Sequence, residues 1–312
     1  MILICGEALI DFTPITINND KGFLLKPGGS PYNIAIALSR LGGPSAFLSK
    51  ISKDPFGDIL INNLKENGVD ISYVIRGDEP TTLAFVFLEN NEPKFLFYGH
   101  NSADANILIS DIPPIYNNIL AVHFGSISLV REPSATTYEK LMMEFSGKFI
   151  ITFDPNVRPN LIPNKEKYIK RLERWLSFCN IVKVSHADLS WLYPNISYEE
   201  IAREWLNLGP KIIIVTLGEN GAFALTEKGL TKVSAIKVSV VDTVGAGDSF
   251  MGGILYWLWK NEKLNLSVIN SISLDDLTNA LKFSTIVSAI TCTRAGANPP
   301  TLKEVENFIN EK

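Results

Sequence analysis

Short apolar runs alternate with longer helical stretches along most of this 312-residue chain. Residues 2–5, 46–51, 121–124, 149–153, 181–184 and 211–215 each read as a strand buried on both faces, the pattern of a parallel sheet. Their alternation with helical segments predicts an α/β fold, a central sheet covered by helices on both sides. Two regions break the rhythm, residues 13–26 and 71–100. Within the second, 83–88 and 95–98 look like strands around the turn Glu89-Asn90-Asn91-Glu92-Pro93. A small sheet inserted there, with exposed apolar residues, is suited to fold over a crevice as a lid. The whole of 1–312 reads as a single domain without internal repeat or long linker, and Pro113-Pro114 and Pro299-Pro300 mark turns.

The residues just past the end of each strand carry the chemistry. Asp11 comes shortly after the first, then Gly125-Ser126, Asp154-Pro155-Asn156-Val157-Arg158, Ser185-His186-Ala187-Asp188 and Thr216-Leu217-Gly218. In an open α/β sheet the carboxyl ends of the strands share one rim, so these groups converge on one crevice. Residues 235–241 alternate like another strand, and 249–259 have the apolar density of a buried helix. Gly245, Ala246 and Gly247 therefore stand at a helix N-terminus, where free N–H groups and the helix dipole favour an anion. Asp248 adds a carboxylate beside that cradle. A tight turn capped by an acid is the plainer reading of the same four residues. A second glycine turn, Lys26-Pro27-Gly28-Gly29-Ser30-Pro31-Tyr32-Asn33, opens another helix, with Asn33 on its first turn.

Together, the Gly-Gly turn with a following Asn and the Asp242-Thr243-Val244-Gly245-Ala246-Gly247-Asp248 turn resemble the paired signatures of the PfkB (ribokinase-like) carbohydrate kinase family. The resemblance extends over nearly the whole chain, through Gly6-Glu7, Asp54 with Phe56-Gly57, Gly68-Val69-Asp70, Ser102-Ala103-Asp104, Asp154 to Pro159, Thr216-Leu217-Gly218 with Gly221, and Thr293 to Ala297. The Gly-Gly-Ser-Pro-x-Asn, Phe-Tyr-x-x-x-Ser-Ala-Asp and Asp-Pro-Asn-x-Arg-Pro forms look most like the fructokinase branch. It implies a ribokinase-like three-layer α/β/α sandwich with a mainly parallel sheet and a small β-sheet lid. In that family such a lid often also pairs with its copy in a homodimer, and both roles stay open for the two segments.

The implied activity is ATP-dependent phosphorylation of a sugar, most like fructose to fructose 6-phosphate. Phosphoryl transfer needs an in-line acceptor, relief of charge on the transferring group and a place for the acceptor proton. Backbone N–H groups of Gly245, Ala246 and Gly247 supply an anion hole, about 3 kcal/mol for one well-placed donor. Asp248 supplies the base. By resemblance Asp11, Gly28, Gly29 and Asn33 hold the sugar, and Tyr98, Ser102 and Asp104 complete the pocket from the lid side. Gly99 departs from the pattern, because many fructokinase-like sequences carry an arginine there. Arg158 has the planar charged fork to clamp a phosphoryl group. Ser185 and Asp188 stand at the family's Asn-x-x-Glu motif, linked to Mg2+ and phosphate, and Asp188 would act through the ion's waters. Thr216, Gly218 and Gly221, with Gly245 and Gly247, mark the ATP side, and the helix 281–292 would wall the adenine or serve as ordinary core. Asp242 is the implied ligand of a monovalent cation, K+. His186 reads as a hydrogen-bonded histidine rather than a metal ligand.

Composition agrees with such an enzyme. A 46% hydrophobic content can bury a sizeable core. The balance of 29 basic and 33 acidic residues gives net charge -4, which points to neither a nucleic-acid nor a membrane partner. Cys5, Cys179 and Cys292 are scattered and odd in number, as reduced core residues would be. The start Met1 to Cys5 reads as a first strand and not a signal peptide, so a cytoplasmic location is expected. Enzyme alternatives are a 2-keto-3-deoxygluconate kinase, for which Lys94 is a nearby cation for an acid sugar, and a ribokinase. A sugar-binding sensor without turnover is a non-enzyme alternative, disfavoured by the intact Gly245 to Asp248 turn. A dehydrogenase is disfavoured because no GxGxxG follows the first strand.

Overall fold

The computed structural model describes residues 1–311 except 19, 90–91 and 116–117, and of 17, 86, 88–89 and 92–95 only the backbone. Its main sheet contains β1 (Ile2–Cys5), β4 (Ser45–Ser52), β5 (Val74–Gly77), β8 (Ala121–Gly125), β9 (Ile150–Asp154), β10 (Ile181–Ser185), β11 (Ile212–Thr216), β12 (Ala222–Thr226) and β13 (Gly229–Val233). Their order is β13-β12-β11-β10-β9-β8-β1-β4-β5. Every pairing is parallel except at one edge, where β12 runs antiparallel to β11 and β13. All six strands read from the apolar runs are present, within a residue or two at their ends.

Alternation along each strand divides the interior into two cores. Ile2 and Ile4 of β1 face a cluster with α1 (Ser30–Arg40), α2 (Pro55–Glu66), α7 (Ala246–Lys260) and α9 (Leu274–Cys292). Leu3 and Cys5 face the other, with α3 (Ser134–Phe145), α4 (Lys165–Leu176) and α6 (Tyr198–Leu208). The result is the expected three-layer α/β/α sandwich. Within the first cluster α7 is clamped between α1 and α9. A Cβ on Gly252 would come within 2.7 Å of the Ala37 Cβ, and one on Gly253 within 2.9 Å of the Ser284 Cα. The glycines let three helices approach closely and so fix where α7 begins.

The second sheet, in the order β3-β2-β6-β7, is formed by β2 (Leu9–Ile17), β3 (Asp20–Gly28), β6 (Thr82–Glu89) and β7 (Glu92–Tyr98). Two hairpins are joined by parallel pairing of β2 with β6. The small sheet thus starts earlier than 13 in its first half. In its second half, Val74–Gly77 pairs with β4 in the main sheet instead.

Residues 235–241 differ from the strand their alternation suggested. They join no ladder among the described residues, and Val240 and Val241 are more than half exposed. β13 is the edge of the sheet, and the chain leaves it toward the end of α9, where the Val241 N–H donates to the Cys292 carbonyl at 2.8 Å. Alternation measured a half-buried extended segment, and no partner strand was there to receive it. The three cysteines are free, Cys5 and Cys179 buried and Cys292 partly so. Among the described residues no helix is long and apolar enough to cross a membrane.

The fold makes one stability prediction. Phe153 of β9 is fully buried and meets Trp175 edge-on, with ring centroids 6.0 Å apart. Phe153→Ala should lower the unfolding free energy by about 3–5 kcal/mol in chemical denaturation.

Candidate active site

A cavity of about 530 Å³ opens between the carboxyl ends of the main strands and the small sheet. Gly245 adopts φ 76° as N-cap of α7, and a side chain there would strike Ala297. Gly245, Gly247 and Asp248 line the cavity wall, with Ala246 starting the helix between them. The Asp248 carboxylate is buried and held from α1: Ser30 Oγ donates to Oδ1 at 2.7 Å and Asn33 Nδ2 to Oδ2 at 2.9 Å. Asn33, read from sequence as a sugar ligand, thus sits in the crevice and orients the acid. Ser30 does the same and was not singled out.

The opposite wall belongs to the small sheet. Register places Asp11 opposite Lys26, and these two, with Thr13 and Phe97, present one face of the sheet to the cavity. Gly28 leaves room for Asp11, since a Cβ there would come within 2.3 Å of Oδ2, and Gly29 passes close over the Glu7 carbonyl. Burial raises the Asp11 carboxyl to about 6, with Arg158 and Lys26 pulling it down and Asp248 pushing it up. Lys26 is the lid cation that reaches the crevice, while the side chain of Lys94 lies outside the described residues.

The floor is charged and buried. Glu7, just after β1, accepts the N–H groups of Ser30 and Ser128, both at 3.2 Å, and burial raises its pKa. Lys183 of β10 bonds Asp154 of β9 at 2.7 Å, with both side chains at most 5% exposed. Glu7 enters the sequence reading only through the family resemblance and Lys183 not at all, although a lysine inside the apolar run 181–184 is a visible signal. Arg158 lies at the rim, folded onto its own turn and donating to Asn156 Oδ1 at 2.6 Å.

Other expected residues sit away from this cavity. Tyr98 is 60% exposed on the outer face of the small sheet, edge-on to Phe85. Neighbours in a strand point to opposite faces, so Phe97 looks inward and Tyr98 outward. Ser102 and Asp104 are buried in a network with Thr82 and Arg131 at the root of β6. The Arg131 guanidinium also bonds the Gly99 carbonyl, Ser102 Oγ at 2.7 Å and Asp104 Oδ2 at 3.2 Å. A Cβ on Gly99 would stand 2.6 Å from it. Gly99 thus leaves room for the Arg131 guanidinium, which closes this buried network.

On the third side, Ser185 N-caps the helix 186–192, and Thr216 ends β11 with its carbonyl 3.3 Å from His186 Nδ1. Gly218 and Gly221 shape the turn between β11 and β12, where a Cβ on Gly221 would collide with the Val233 carbonyl. Asp188 is engaged inward: Oδ1 accepts the Val157 N–H at 3.0 Å and Oδ2 the Ser185 N–H at 3.3 Å. Asp242 ties two loops together, accepting from Val244 N–H at 3.1 Å and Gly296 N–H at 2.7 Å. Among the described residues no group of three or more His, Cys, Asp or Glu is disposed to hold a metal. A wider groove of about 860 Å³, lined by His186, Tyr193, Tyr198 and Phe223, has none of the convergent acids and glycines.

An anion cradle at a helix N-terminus, a buried carboxylate beside it and a second carboxylate on the facing small sheet define a phosphotransferase crevice. The chain belongs to the pfkB family of carbohydrate kinases, whose defining pattern matches residues 1–304. It is similar to a fructokinase from Rhizobium leguminosarum bv. trifolii, 40% identical over 280 residues, covering 89% of this chain and 86% of that one. Among solved structures it resembles a fructokinase with bound ATP from Xylella fastidiosa (TM-score 0.92, 30% identity, 99% and 98% of the two chains). It also resembles a fructokinase from Vibrio cholerae O395 in a form with fructose, ADP and calcium ion bound (TM-score 0.86, 28% identity, 98% of each chain). The fold is ribokinase-like, as the paired glycine turns implied.

The raised Asp11 carboxyl predicts a pH dependence. Hydroxyl groups bond best to the ionised form, so kcat/KM for the sugar should fall about tenfold per pH unit below about 6. Steady-state kinetics across pH should lose that limb in Asp11→Asn.

Proposed function

We propose that this chain transfers the γ-phosphoryl group of ATP to the 6-hydroxyl of fructose. The observation that carries the reading is Asp248, fixed by Ser30 and Asn33 directly after the Gly245-Ala246-Gly247 cradle and across the crevice from Asp11. The fructokinases it resembles, with the ATP and fructose that two of them hold, support the choice of both substrates.

Asp11 receives the sugar hydroxyls from the lid, and Gly28 and Gly29 keep the wall clear for the ring. Asp248 takes the 6-hydroxyl proton as the oxygen bonds to the γ-phosphorus. The bond to the β–γ bridging oxygen breaks, and its electron pair leaves on ADP. N–H groups of the Gly245 turn and the Arg158 guanidinium stabilise the equatorial oxygens. An alcohol is a far weaker acid than a carboxylic acid, so the proton moves late, when charge has left the acceptor oxygen. Ser185, Thr216, Gly218 and Gly221 form the nucleotide side of the reading.

Magnesium bound with the nucleotide supplies charge neutralisation on its phosphates, and it needs few protein ligands because it keeps much of its water. Asp188 would hold the ion through its waters: each of its oxygens accepts one backbone N–H and keeps a lone pair for such a water. Asp242, at the meeting of the 242–244 and 296–297 loops, is the carboxylate of a K+ site. The reading extends to a cytoplasmic location and to a homodimer through the lid, whose outer face exposes Phe23, Leu25, Phe87, Leu96 and Tyr98.

ADP release with Mg·ATP, measured for fructose, ribose, 2-keto-3-deoxygluconate, adenosine and fructose 6-phosphate, tests the assignment. Fructose-selective turnover is expected; preference for the acid sugar would turn attention to Lys26. Binding without ADP release would leave only a sensor. Asp248→Ala should lower kcat by about 10³–10⁴-fold while both substrates still bind, and Asp11→Ala should chiefly raise the KM for fructose.

A further inference from the structure

Lys183 has no part in the mechanism so far, yet it is the most deeply buried cation in the crevice. It lines the cavity with Gly247 and Asp248, and it is 4% exposed. A Cβ placed on Gly247 would stand 3.0 Å from Nζ, so the ammonium lies directly against the anion cradle. Among the described residues it bonds only Asp154, at 2.7 Å, which engages one of its three protons. Asp154 is itself bonded by the Asn156 N–H at 3.2 Å, which fixes the carboxylate and hence the direction of the ammonium. Burial works to lower the lysine pKa, but Asp154, with Asp188 and Asp248 behind it, outweighs burial and keeps the group charged.

A buried lysine costs several kcal/mol to desolvate, and an apolar side chain would fill the strand without that penalty. What distinguishes this place is that two N–H donors have no partner among the described residues, on a side chain that lines the cavity against the Gly247 cradle. From this juxtaposition, and resting on the kinase reading above, we propose that Lys183 is a catalytic residue whose Nζ donates to an equatorial oxygen of the phosphoryl group in transfer. The acceptor oxygen bonds phosphorus, the bridging oxygen departs with its electron pair to ADP, and the acceptor proton goes to Asp248. Lys183 keeps its own protons throughout and contributes charge where it builds up. Gly247 is glycine because any side chain would separate the ammonium from that oxygen.

The test compares Lys183→Met with the double variant Asp154→Asn/Lys183→Met, which removes both buried charges and leaves neither unpaired. Thermal denaturation, ATP affinity by calorimetry and steady-state kinetics are read for each, beside the unaltered enzyme. The proposal expects kcat to fall about 10²–10³-fold in both, with ATP affinity little changed and the double variant recovering thermal stability but not turnover. Recovery of kcat to within about tenfold of the parent in the double variant would show that Lys183 only neutralises Asp154, and would overturn the proposal. If Lys183→Met fails to fold, the double variant decides alone. Absence of fructose turnover in the unaltered protein would instead sink the kinase reading, so the two failures are distinguishable.

Discussion

The two hydrogen bonds from α1 to Asp248 hold the site together. Ser30 and Asn33 lie more than 200 residues from the acid they orient. Bonds to an ionised partner contribute about 1.5–3 kcal/mol each, and here they join the two glycine turns into one structure. They can form because α7 packs closely against α1 at Gly252, with only the Ala37 methyl group between the two backbones there. Lose that contact and the acid, the anion cradle and the sugar wall no longer share a frame.

Charge sits deeper in this crevice than stability alone would favour. Glu7, Asp154, Lys183 and Asp248 are all buried around one cavity, and the Asp104–Arg131 pair lies close behind. Replacing such pairs with apolar side chains is often neutral or stabilising, so their presence marks where the protein gives up stability for preorganised electrostatics. Water on the floor would have to reorient as charge moves from acceptor to phosphate, whereas fixed ions and backbone N–H groups do not.

The small sheet divides its work by strand parity. Asp11, Thr13, Lys26 and Phe97 face the crevice, while Phe12, Phe23, Phe85, Phe87 and Tyr98 form an aromatic network on the other side. Asp11, the carboxylate we propose to receive the sugar, therefore rides on the sheet that forms one wall of the crevice. Asp11 and Asp248 thus stand on different layers and face each other across the crevice.

Much of this was legible in the chain. The apolar runs determined six of the nine strands of the main sheet because a buried parallel strand leaves a short-range signature, and the glycine turns marked the cradle because backbone approach to an anion requires small residues locally. Tertiary structure alone decided the rest. Residues 235–241 alternate correctly, but no strand stood beside them. Phe97 faces the crevice and Tyr98 the outer side through a single residue of parity, and Arg131 reaches the Gly99 carbonyl from a distant part of the chain. Asn33 turned to Asp248, and Lys183 became part of the crevice only when β9 and β10 aligned. Periodicity and turn chemistry act over a few residues, so sequence carries them openly; which distant groups meet depends on strand order and helix packing, which exist only once the chain has folded.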